Sequence, residues 1–232
     1  MTVHLSYGWA MSRIVDLSVP IEPHFRWPME RSLKSDHASG GVFQVTWLGL
    51  AVHGYTHIDA ARHILPDGAT SSDTALEQTC GEAAIVDVSD LPPNQEITRE
   101  HLAARGGHVR AGDIVLLRSR WDEKRSLQSR EFWTEAPWLS RGACEWLLER
   151  GIKALAPDFP QDYPIRLLLD GETRPLSEFV SHDVLLRNGV ILIEYACNFG
   201  ALAYDRTTVY ALPLRLPDAD GCPARVIAVE ED

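Results

Sequence analysis

Apolar residues fall in short runs separated by glycine, proline or aspartate, a pattern that predicts buried β-strands. The runs are rich in Val, Ile and Leu, and the 16 Gly and 14 Pro residues indicate many turns between them. Strands are expected at residues 14–19, 41–52, 83–88, 113–119, 152–157, 190–195, 207–212 and 225–229.

Helical patterns are fewer than strand patterns. The stretch from Ser140 to Gly151 carries apolar residues at helical spacing, with Ser140 as the expected N-cap and Gly151 as the closing residue. A second helix is expected to start near Thr98 and a third near Leu176. More strands than helices, in mixed order, predict an α/β fold: a single β-rich domain over residues 1–232 with a mixed sheet.

The composition is that of a folded, acidic chain. Of the 232 residues, 45% are hydrophobic and 24% are charged, close to the average of soluble globular proteins. The 22 Lys and Arg residues against 33 Asp and Glu residues give a net charge of −11. A general binder of nucleic acid or of an anionic membrane needs a basic face, so we expect neither partner.

Neither a membrane span nor a leader is expected. No run approaches the roughly 20 apolar residues that cross a bilayer, and residues 1–18 lack the basic flank and apolar stretch of a signal peptide. Cys80, Cys144, Cys197 and Cys222 are scattered without a C-x-x-C pair, so buried thiols are expected rather than a disulfide framework. We therefore expect a cytoplasmic protein.

Residues 120–138 differ in composition from the rest of the chain. A charged run from Arg120 to Arg125 is followed by aromatic residues that include Trp133 and Trp138. Two interpretations are open: a solvated loop with stray aromatic residues, or a loop that covers a pocket or a subunit interface, where Trp and Arg are favoured.

Metal-ligating residue types concentrate directly after a predicted strand. His53, His57, Asp59 and His63 all occupy odd positions within one short segment. Imidazole nitrogens and carboxylate oxygens are the usual ligands of Zn²⁺ and similar ions. This concentration predicts a metal site rather than surface or capping histidines.

The backbone of this segment must be extended and bent. At about 100° per residue, no single face of a helix holds all four side chains, whereas an extended chain points them to one side. A straight strand would separate His53 from His63 by about 33 Å, too far for one site. Gly54 and the turn at residues 64–68 supply the means to bend.

The spacing resembles the signature H-x-G-T-H-x-D-x-P-x-H of the metal-dependent cyclase family, which includes bacterial kynurenine formamidase (arylformamidase) and isatin hydrolase. Every ligand-type position and Thr56 match, whereas Tyr55 stands for the family's Gly and Ala61 for its Pro. Further along, His182 and Glu194 resemble the family's later His and Glu.

The resemblance runs from residue 14 to residue 230 and includes Asp220-Gly221-x-Pro223-x-Arg225 near the end. It implies a single swivelling β/β/α domain with a mixed sheet, assembled as a homodimer or a higher homo-oligomer.

The resemblance also implies roles for individual residues. His53, His57 and Asp59 would be ligands of a first metal, and Asp59 would bridge to a second metal that His182 and Glu194 complete. The cofactor would be Zn²⁺, as one or two ions, or Mn²⁺, and such an ion lowers the pKa of bound water.

His63 would be the catalytic acid/base that takes the proton of the water and returns it to the leaving nitrogen. For two of the implied ligands the residues leave other interpretations open. The alternative for Glu194 is a solvated carboxylate at the end of a strand. The alternative for His182 is a loop or helix-end histidine.

Substrate contacts are suggested by two aromatic residues. Trp27-Pro28 resembles a Trp-Pro element of the family, and Trp27 is expected to stack on a substrate ring, with a core position as the alternative. Tyr55 is a candidate hydrogen-bond donor to the substrate, although simple packing is the favoured interpretation of its ring.

The leading functional hypothesis is a metal-dependent hydrolase of a small molecule, cleaving a non-peptide C–N bond in an aryl formamide or a cyclic amide. A lactone hydrolase and a cyclase or dehydratase with the same metal site are the enzymatic alternatives. A non-catalytic metal-binding module with a closed coordination sphere is the third.

Overall fold

The computed structural model of the protein describes residues 12–231. Strands in this part of the chain have the following bounds: β1 (Arg13–Asp16), β2 (Met29–Ser35), β3 (Val45–Leu50), β4 (His57–Asp59), β5 (Cys80–Asp87), β6 (Glu96–Ile97), β7 (Ile114–Arg118), β8 (Trp138–Leu139), β9 (Ala154–Pro157), β10 (Ile191–Glu194), β11 (Arg206–Pro213) and β12 (Gly221–Glu230).

The helices are short. The α-helices of the described residues are α1 (Leu76–Thr79), α2 (Arg99–Arg105), α3 (Trp121–Lys124), α4 (Glu131–Thr134), α5 (Arg141–Glu149) and α6 (Val180–Val184). Segments of 3₁₀ helix lie at Ala61–His63, Ser71–Asp73, Tyr163–Asp170, Leu176–Glu178, Leu186–Asn188 and Phe199–Ala201. Between residues 12 and 231, no helix is long and apolar enough to cross a membrane.

The main sheet is mixed and curls into a barrel-like form. Its strand order is β1-β12-β11-β5-β7-β9-β10-β4, and β4 pairs in addition with β12. Strand β12 closes the barrel because its first residues, Gly221 to Pro223, pair with β4 while the rest of the strand pairs with β11 and β1. Strands β5, β7, β9 and β10 run parallel, and the other pairings are antiparallel.

Apolar side chains fill both faces of the sheet, as is typical of parallel strands. In β7, Val115 and Leu117 belong to a core shared with α2 and α5, whereas Ile114 and Leu116 belong to the core inside the barrel. Alternate residues of one strand thus stabilise two separate cores, which explains the continuous apolar run of β7 in the sequence.

The α/β class and the mixed sheet predicted from the sequence are confirmed, and each predicted strand overlaps an observed one. Four strands escaped prediction, namely β2, β4, β6 and β8, because they are polar or only two or three residues long. The helix between Ser140 and Gly151 is confirmed as α5: the Ser140 hydroxyl accepts the amide of Ala143, and Gly151 adopts a φ of +71°.

The other two helix predictions are also located. Helix α2 begins directly after Thr98, which caps it. The helix expected near Leu176 begins as a turn of 3₁₀ helix and continues as α6 from Val180.

Residues 120–138 do not form a solvated loop. They contain α3 and α4, and the side chains of Trp121, Phe132 and Trp133 lie in the core. Trp133 packs edge-on against Trp27, with ring centroids 5.2 Å apart, so this segment supports one side of the site described below.

Strands β2 and β3 form a separate hairpin, which we call the β2–β3 arm (residues 29–50). Within the described part of the chain these two strands pair only with each other. Large apolar side chains of the arm are exposed, most of all Val42 at 80% and Phe43 at 74%.

The four cysteines are free thiols, in agreement with the expectation of no disulfide framework. Cys144 and Cys222 are buried. No signal peptide is expected in residues 1–18. Positions 1–11 of this segment lie outside the described residues.

Candidate metal centre

The short strand β4 places two candidate ligands side by side. His57 and Asp59 stand two residues apart and point to the same side of the sheet, where both side chains are fully buried. Antiparallel pairing sets Glu194 at the end of β10 directly opposite His57, and His57 Nε2 lies 3.6 Å from Glu194 Oε2. The register of two strands therefore assembles three of the predicted ligands.

His53 reaches the same point from the turn that precedes β4. Its Nδ1 lies 2.8 Å from Asp59 Oδ1, and its Nε2 lies 2.8 Å from Asp220 Oδ2. Asp220 stands immediately before β12, which pairs with β4. Closure of the barrel thus brings a carboxylate from near the C-terminus to His53.

His182 arrives from α6 on the opposite side of Asp59. Its Nε2 lies 3.4 Å from Asp59 Oδ2 and 3.6 Å from Glu194 Oε1. Its Nδ1 lies 2.6 Å from Asp162 Oδ2, so Asp162 orients the ring. The two oxygens of Asp59 therefore face two different groups of histidines.

The tautomer of His57 follows from its backbone contact. Nδ1 donates a hydrogen bond of 2.8 Å to the carbonyl oxygen of Tyr55, which leaves Nε2 as an acceptor. This Nε2 lies 3.2 Å from Asp59 Oδ1 but forms no hydrogen bond, and Asp59 Oδ2 is likewise buried without a partner among the described residues. Buried polar atoms of this kind are costly unless a bound group satisfies them.

The donor set fits a divalent cation. In three sets of side chains the ligand atoms lie within 4.8 Å of one another: His53–His63–Asp220, His53–His57–Asp59 and Asp59–His63–His182. Nitrogen and oxygen donors of this kind suit Zn²⁺ and similar ions. Glu194 borders these sets, and its Oε1 accepts a hydrogen bond from Gln161 Nε2.

The ionisable side chains of the centre shift one another's pKa values. Burial by itself lowers the pKa of His53, but its bonds to Asp59 and Asp220 outweigh burial and raise the pKa to about 9. Burial opposes the same effect at His182, where Asp162 and Asp59 raise the pKa well above its ordinary value. At Asp59 burial acts to raise the pKa, yet the surrounding histidines hold it well below the usual range. The result is an ionised carboxylate among imidazoles, a pattern in which a metal ion can replace the protons.

His63 lies at the solvent side of the centre. It ends the 3₁₀ helix Ala61–His63, and one third of its side chain is exposed. Its ring centroid lies 3.9 Å from that of His53 and 5.6 Å from that of His182. Partial burial, as the largest influence, lowers the pKa of His63.

A cavity of about 360 Å³ opens onto these side chains. The cavity is lined by His53, His63, His182 and Glu194 and by the aromatic residues Trp27, Phe179 and Tyr195. Trp27 is also packed in the core, with its ring centroid 4.8 Å from that of Tyr195. The Trp27 ring therefore lies on the wall of this cavity, as the predicted stacking on a substrate ring requires.

Tyr55 is not brought to this cavity. It is buried behind Trp27, and its hydroxyl donates a hydrogen bond of 2.5 Å to the carbonyl oxygen of Glu22. Packing, rather than a hydrogen bond to substrate, is what the structure assigns to Tyr55. Its φ of +60° lies in the left-handed region that favours glycine, and this conformation directs the Tyr55 carbonyl to His57.

Three polar residues around the centre were not predicted as site residues, although Asp220 belongs to the C-terminal motif that resembles the family. Gln161 and Asp162 follow strand β9, and Asp220 precedes β12. Polar residues directly after a buried strand can indicate a site, and the run from Asp158 to Asp162 follows β9 in this way. No local pattern marks Asp220 as a neighbour of His53, because 167 residues separate the two.

Comparison with known proteins identifies the family of the chain. The Cyclase family model matches residues 15–161. The chain belongs to the cyclase family. A kynurenine formamidase of Bacillus cereus is 30% identical over 222 residues, which cover 93% of this chain and 97% of that protein.

Solved structures of the cyclase family share the fold. An isatin hydrolase bound to the product analogue thioisatinate superposes with a TM-score of 0.81 at 21% identity, over 95% of this chain and 93% of the other. A protein from Bacillus stearothermophilus, described as a predicted metal-dependent hydrolase, superposes with a TM-score of 0.72 at 22% identity, over 95% and 99%.

Proposed function

We propose that this protein is a metal-dependent hydrolase that cleaves a non-peptide C–N bond, in an aryl formamide or a cyclic amide. The observation that carries the proposal is the position of Asp59, whose two oxygens face separate groups of histidines. Two of these histidines, His53 and His182, line a cavity with aromatic walls. Relatives named kynurenine formamidase place the same chemistry in this family.

The distances at the centre support the ligand assignment that the family resemblance implies. His53, His57 and Asp59 would hold one ion, and Asp59 would share a second ion with His182 and Glu194. We propose Zn²⁺, as one or two ions, with Mn²⁺ as the alternative. When bound, such an ion lowers the pKa of a water molecule and polarises a carbonyl group.

His63 is the proposed acid/base. It faces both His53 and His182 and is open to the cavity, so an imidazole nitrogen can take the proton of the attacking water. The same nitrogen can return that proton to the leaving nitrogen of the substrate. Trp27 would position the aromatic ring of the substrate by stacking.

The surrounding polar residues hold this arrangement in place. Asp162 accepts hydrogen bonds from the amide and hydroxyl of Ser181 as well as from His182, and it therefore fixes the start of α6. Gln161 donates to Glu194. Residues that orient ligands in this way commonly change metal affinity or activity by about 10- to 100-fold when removed.

Elemental analysis combined with a substrate panel tests the proposal. Purified protein supplied with Zn²⁺ or Mn²⁺ should hydrolyse at least one aryl formamide or cyclic amide from a panel of N-formylkynurenine, formanilides, isatin and lactones. Exclusive turnover of lactones, ring closure without consumption of water, or no turnover at all would contradict the proposed reaction.

Two variants separate the roles within the centre. His63→Ala should retain metal and lose turnover by about 10²- to 10⁴-fold, because it removes proton transfer. Asp59→Asn should lose metal, because Asp59 contacts both groups of ligands. Loss of metal from the His63 variant would instead make His63 a ligand, as its membership of two of the three ligand sets allows.

We also propose that the protein assembles as a homodimer or a higher homo-oligomer through the β2–β3 arm. An isolated two-stranded hairpin is marginal in water, and this one exposes Val42, Phe43 and Trp47. A second copy would cover this apolar surface. A single domain over the whole chain and a cytoplasmic location complete the proposal, and the free thiols favour a reducing compartment.

A further inference from the structure

Arg26 is a cation on the wall of the cavity that faces the metal centre. It is half-buried and lines the same 360 Å³ cavity as His63 and Glu194. It also lines the adjoining outer cavity with Phe25 and Arg130, so it stands where the two cavities meet.

The backbone on either side of Arg26 is firmly positioned. The Arg26 amide donates to His24 Nδ1 at 3.1 Å, and His24 Nε2 contacts the carbonyl oxygen of Leu127 at 2.9 Å. The His24 ring is stacked on Trp27, with centroids 4.5 Å apart. The backbone of Arg26 is therefore held in place, and its side chain starts from a fixed position on the cavity wall.

The guanidinium group of Arg26 has little to bind within the protein. It lies over the ring of Trp133, 4.5 Å from the centroid. Its hydrogen bonding within residues 12–231 is limited to one contact of 3.5 Å between Nη1 and the carbonyl oxygen of Ile165, and it forms no ion pair with a carboxylate there. A guanidinium carries five N–H donors, so most of the donors of Arg26 have no partner within the described residues, and the side chain lines the cavity.

Arg130 provides the contrast. It lines the outer cavity only, and its guanidinium forms an ion pair with Asp170. A cation that is already paired offers little to a ligand, whereas Arg26 offers a planar fork of donors that matches a carboxylate.

We propose that Arg26 binds a carboxylate group carried by the substrate, at a position away from the bond that is cleaved. The inference rests on the proposed function and names its substrate class: aromatic formamides or cyclic amides that bear a negative charge. The net charge of the chain is −11, so an anionic substrate is repelled overall, and a local cation away from the proposed metal ions would favour its binding. Stacking of Arg26 on Trp133 holds the fork beside the aromatic surface that receives the ring.

Matched substrates test the proposal. Formanilides with a ring carboxylate at position 2, 3 or 4 are compared with the corresponding neutral carboxamides. For at least one position, the wild-type protein should prefer the carboxylate by about 10- to 100-fold in kcat/KM, mainly through KM, as expected for charge-assisted hydrogen bonds. Both substrates of a pair undergo the same cleavage. The ratio of their kcat/KM values therefore cancels any effect that a substitution in the protein has on the chemical step.

Three variants decide whether Arg26 is responsible. Arg26→Gln should reduce the carboxylate-to-carboxamide ratio to about one, whereas Arg26→Lys should retain part of it because the charge remains and the fork is lost. Arg130→Gln is the matched control and should leave the ratio unchanged. A purely structural role of Arg26 would lower the rates of both substrates alike and leave their ratio at the wild-type value, which would overturn the proposal.

A binding measurement keeps this inference separate from the proposed reaction. Quenching of tryptophan fluorescence, with Trp27 and Trp133 beside Arg26, reports the binding of 4-methylbenzoate against 4-methylbenzamide to the metal-loaded protein. Tighter binding of the carboxylate that Arg26→Gln abolishes, without turnover of any panel member, would refute the proposed hydrolase and support the anion site. Equal preference in the wild type and Arg26→Gln would refute the anion site even if the hydrolase is active.

Discussion

Gly221 leaves the space that His53 occupies at the metal centre. A Cβ atom on residue 221 would lie 2.6 Å from His53 Cε1, 3.0 Å from His53 Nδ1 and 2.9 Å from the carbonyl oxygen of Ile58. These separations are shorter than a van der Waals contact, so either His53 or the paired strand must move. At this position a single methyl group is incompatible with the observed ligand geometry.

Gly221→Ala should therefore displace His53 and weaken metal binding by about tenfold or more, which is the effect expected when a ligand loses its orientation. Metal affinity measured by competition with a chromophoric chelator tests this. Gly107→Ala is the matched control, because nothing lies within 4 Å of the added Cβ atom. Equal metal affinity of the two variants would contradict the proposed role of His53 as a ligand.

Tyr55 shows a second effect at the scale of one residue. Its φ of +60° lies in the left-handed region, at the position where the signature that this sequence resembles has glycine, and a tyrosine in this conformation costs about 1–3 kcal/mol. Burial of the ring against Trp27 and the hydrogen bond to Glu22 offset this cost. In this conformation the Tyr55 carbonyl oxygen accepts the hydrogen bond from His57 Nδ1.

At the scale of elements, Asp158 joins the ends of two parallel strands. Strands β7 and β9 pair side by side, and Asp158 follows β9 directly. Its carboxylate accepts the amide and hydroxyl of Ser119, at 2.9 and 2.7 Å, and the amide of Arg120 at 2.7 Å. Asp158 thereby fixes the point at which β7 ends and α3 begins.

Burial raises the pKa of Asp158 to about 7, against the hydrogen bonds from Ser119 and with a contribution from the charge of Asp122. The folded state thus binds more protons than the unfolded state between about pH 4 and pH 7. Over this range the contribution of Asp158 to the free energy of unfolding should fall as the pH rises, and above pH 7 it should stay constant.

Chemical denaturation of wild type and Asp158→Asn at pH 5 and pH 8 tests this expectation. Between these two pH values the wild type should lose about 1–3 kcal/mol more stability than the variant, in which position 158 cannot titrate. Other titrating groups are common to both proteins and cancel in the comparison. Parallel pH profiles would show that Asp158 is ionised throughout the range in the folded state.

At the scale of the whole molecule, closure of the sheet assembles the centre and leaves the β2–β3 arm outside it. Strand β12 pairs with β4 and so carries Asp220 to His53. The arm, in contrast, contributes no strand to the main sheet and exposes Phe43 at 74%. The barrel is therefore complete within one chain, whereas the arm would bury its exposed apolar side chains in the proposed homo-oligomer.

Phe43→Glu should dissociate the proposed homo-oligomer, because it places a charge in an apolar contact. Sedimentation velocity at micromolar concentration should show an oligomer for the wild type and a smaller species for this variant. Leu76→Glu, at another exposed apolar position, is the control and should leave the assembly intact. A monomeric wild type would rule out the proposed assembly under these conditions.

Sequence patterns correctly predicted the features that depend on neighbouring residues. The apolar runs located every strand of the barrel except the three-residue β4, and Ser140 and Gly151 marked the ends of α5. The odd-numbered spacing from His53 to His63 predicted that one bent segment gathers these side chains, and the structure brings them together. The extended backbone predicted for the whole segment is confined to His57–Asp59, because a turn precedes it and a 3₁₀ helix carries His63. Family membership, predicted from the same motif, is confirmed.

The tertiary structure decided everything that depends on residues far apart in the chain. Local patterns contain no information about which strand pairs with β4, so the contacts of Asp220 with His53 and of Asp162 with His182 could not be predicted. For the same reason the aromatic residues near position 130 were not recognised as core, and Arg26 was not recognised as a cavity residue. By itself the sequence determined the local conformations and the chemical types of the ligands. The packing of distant segments determined their distances, their burial and therefore their charges.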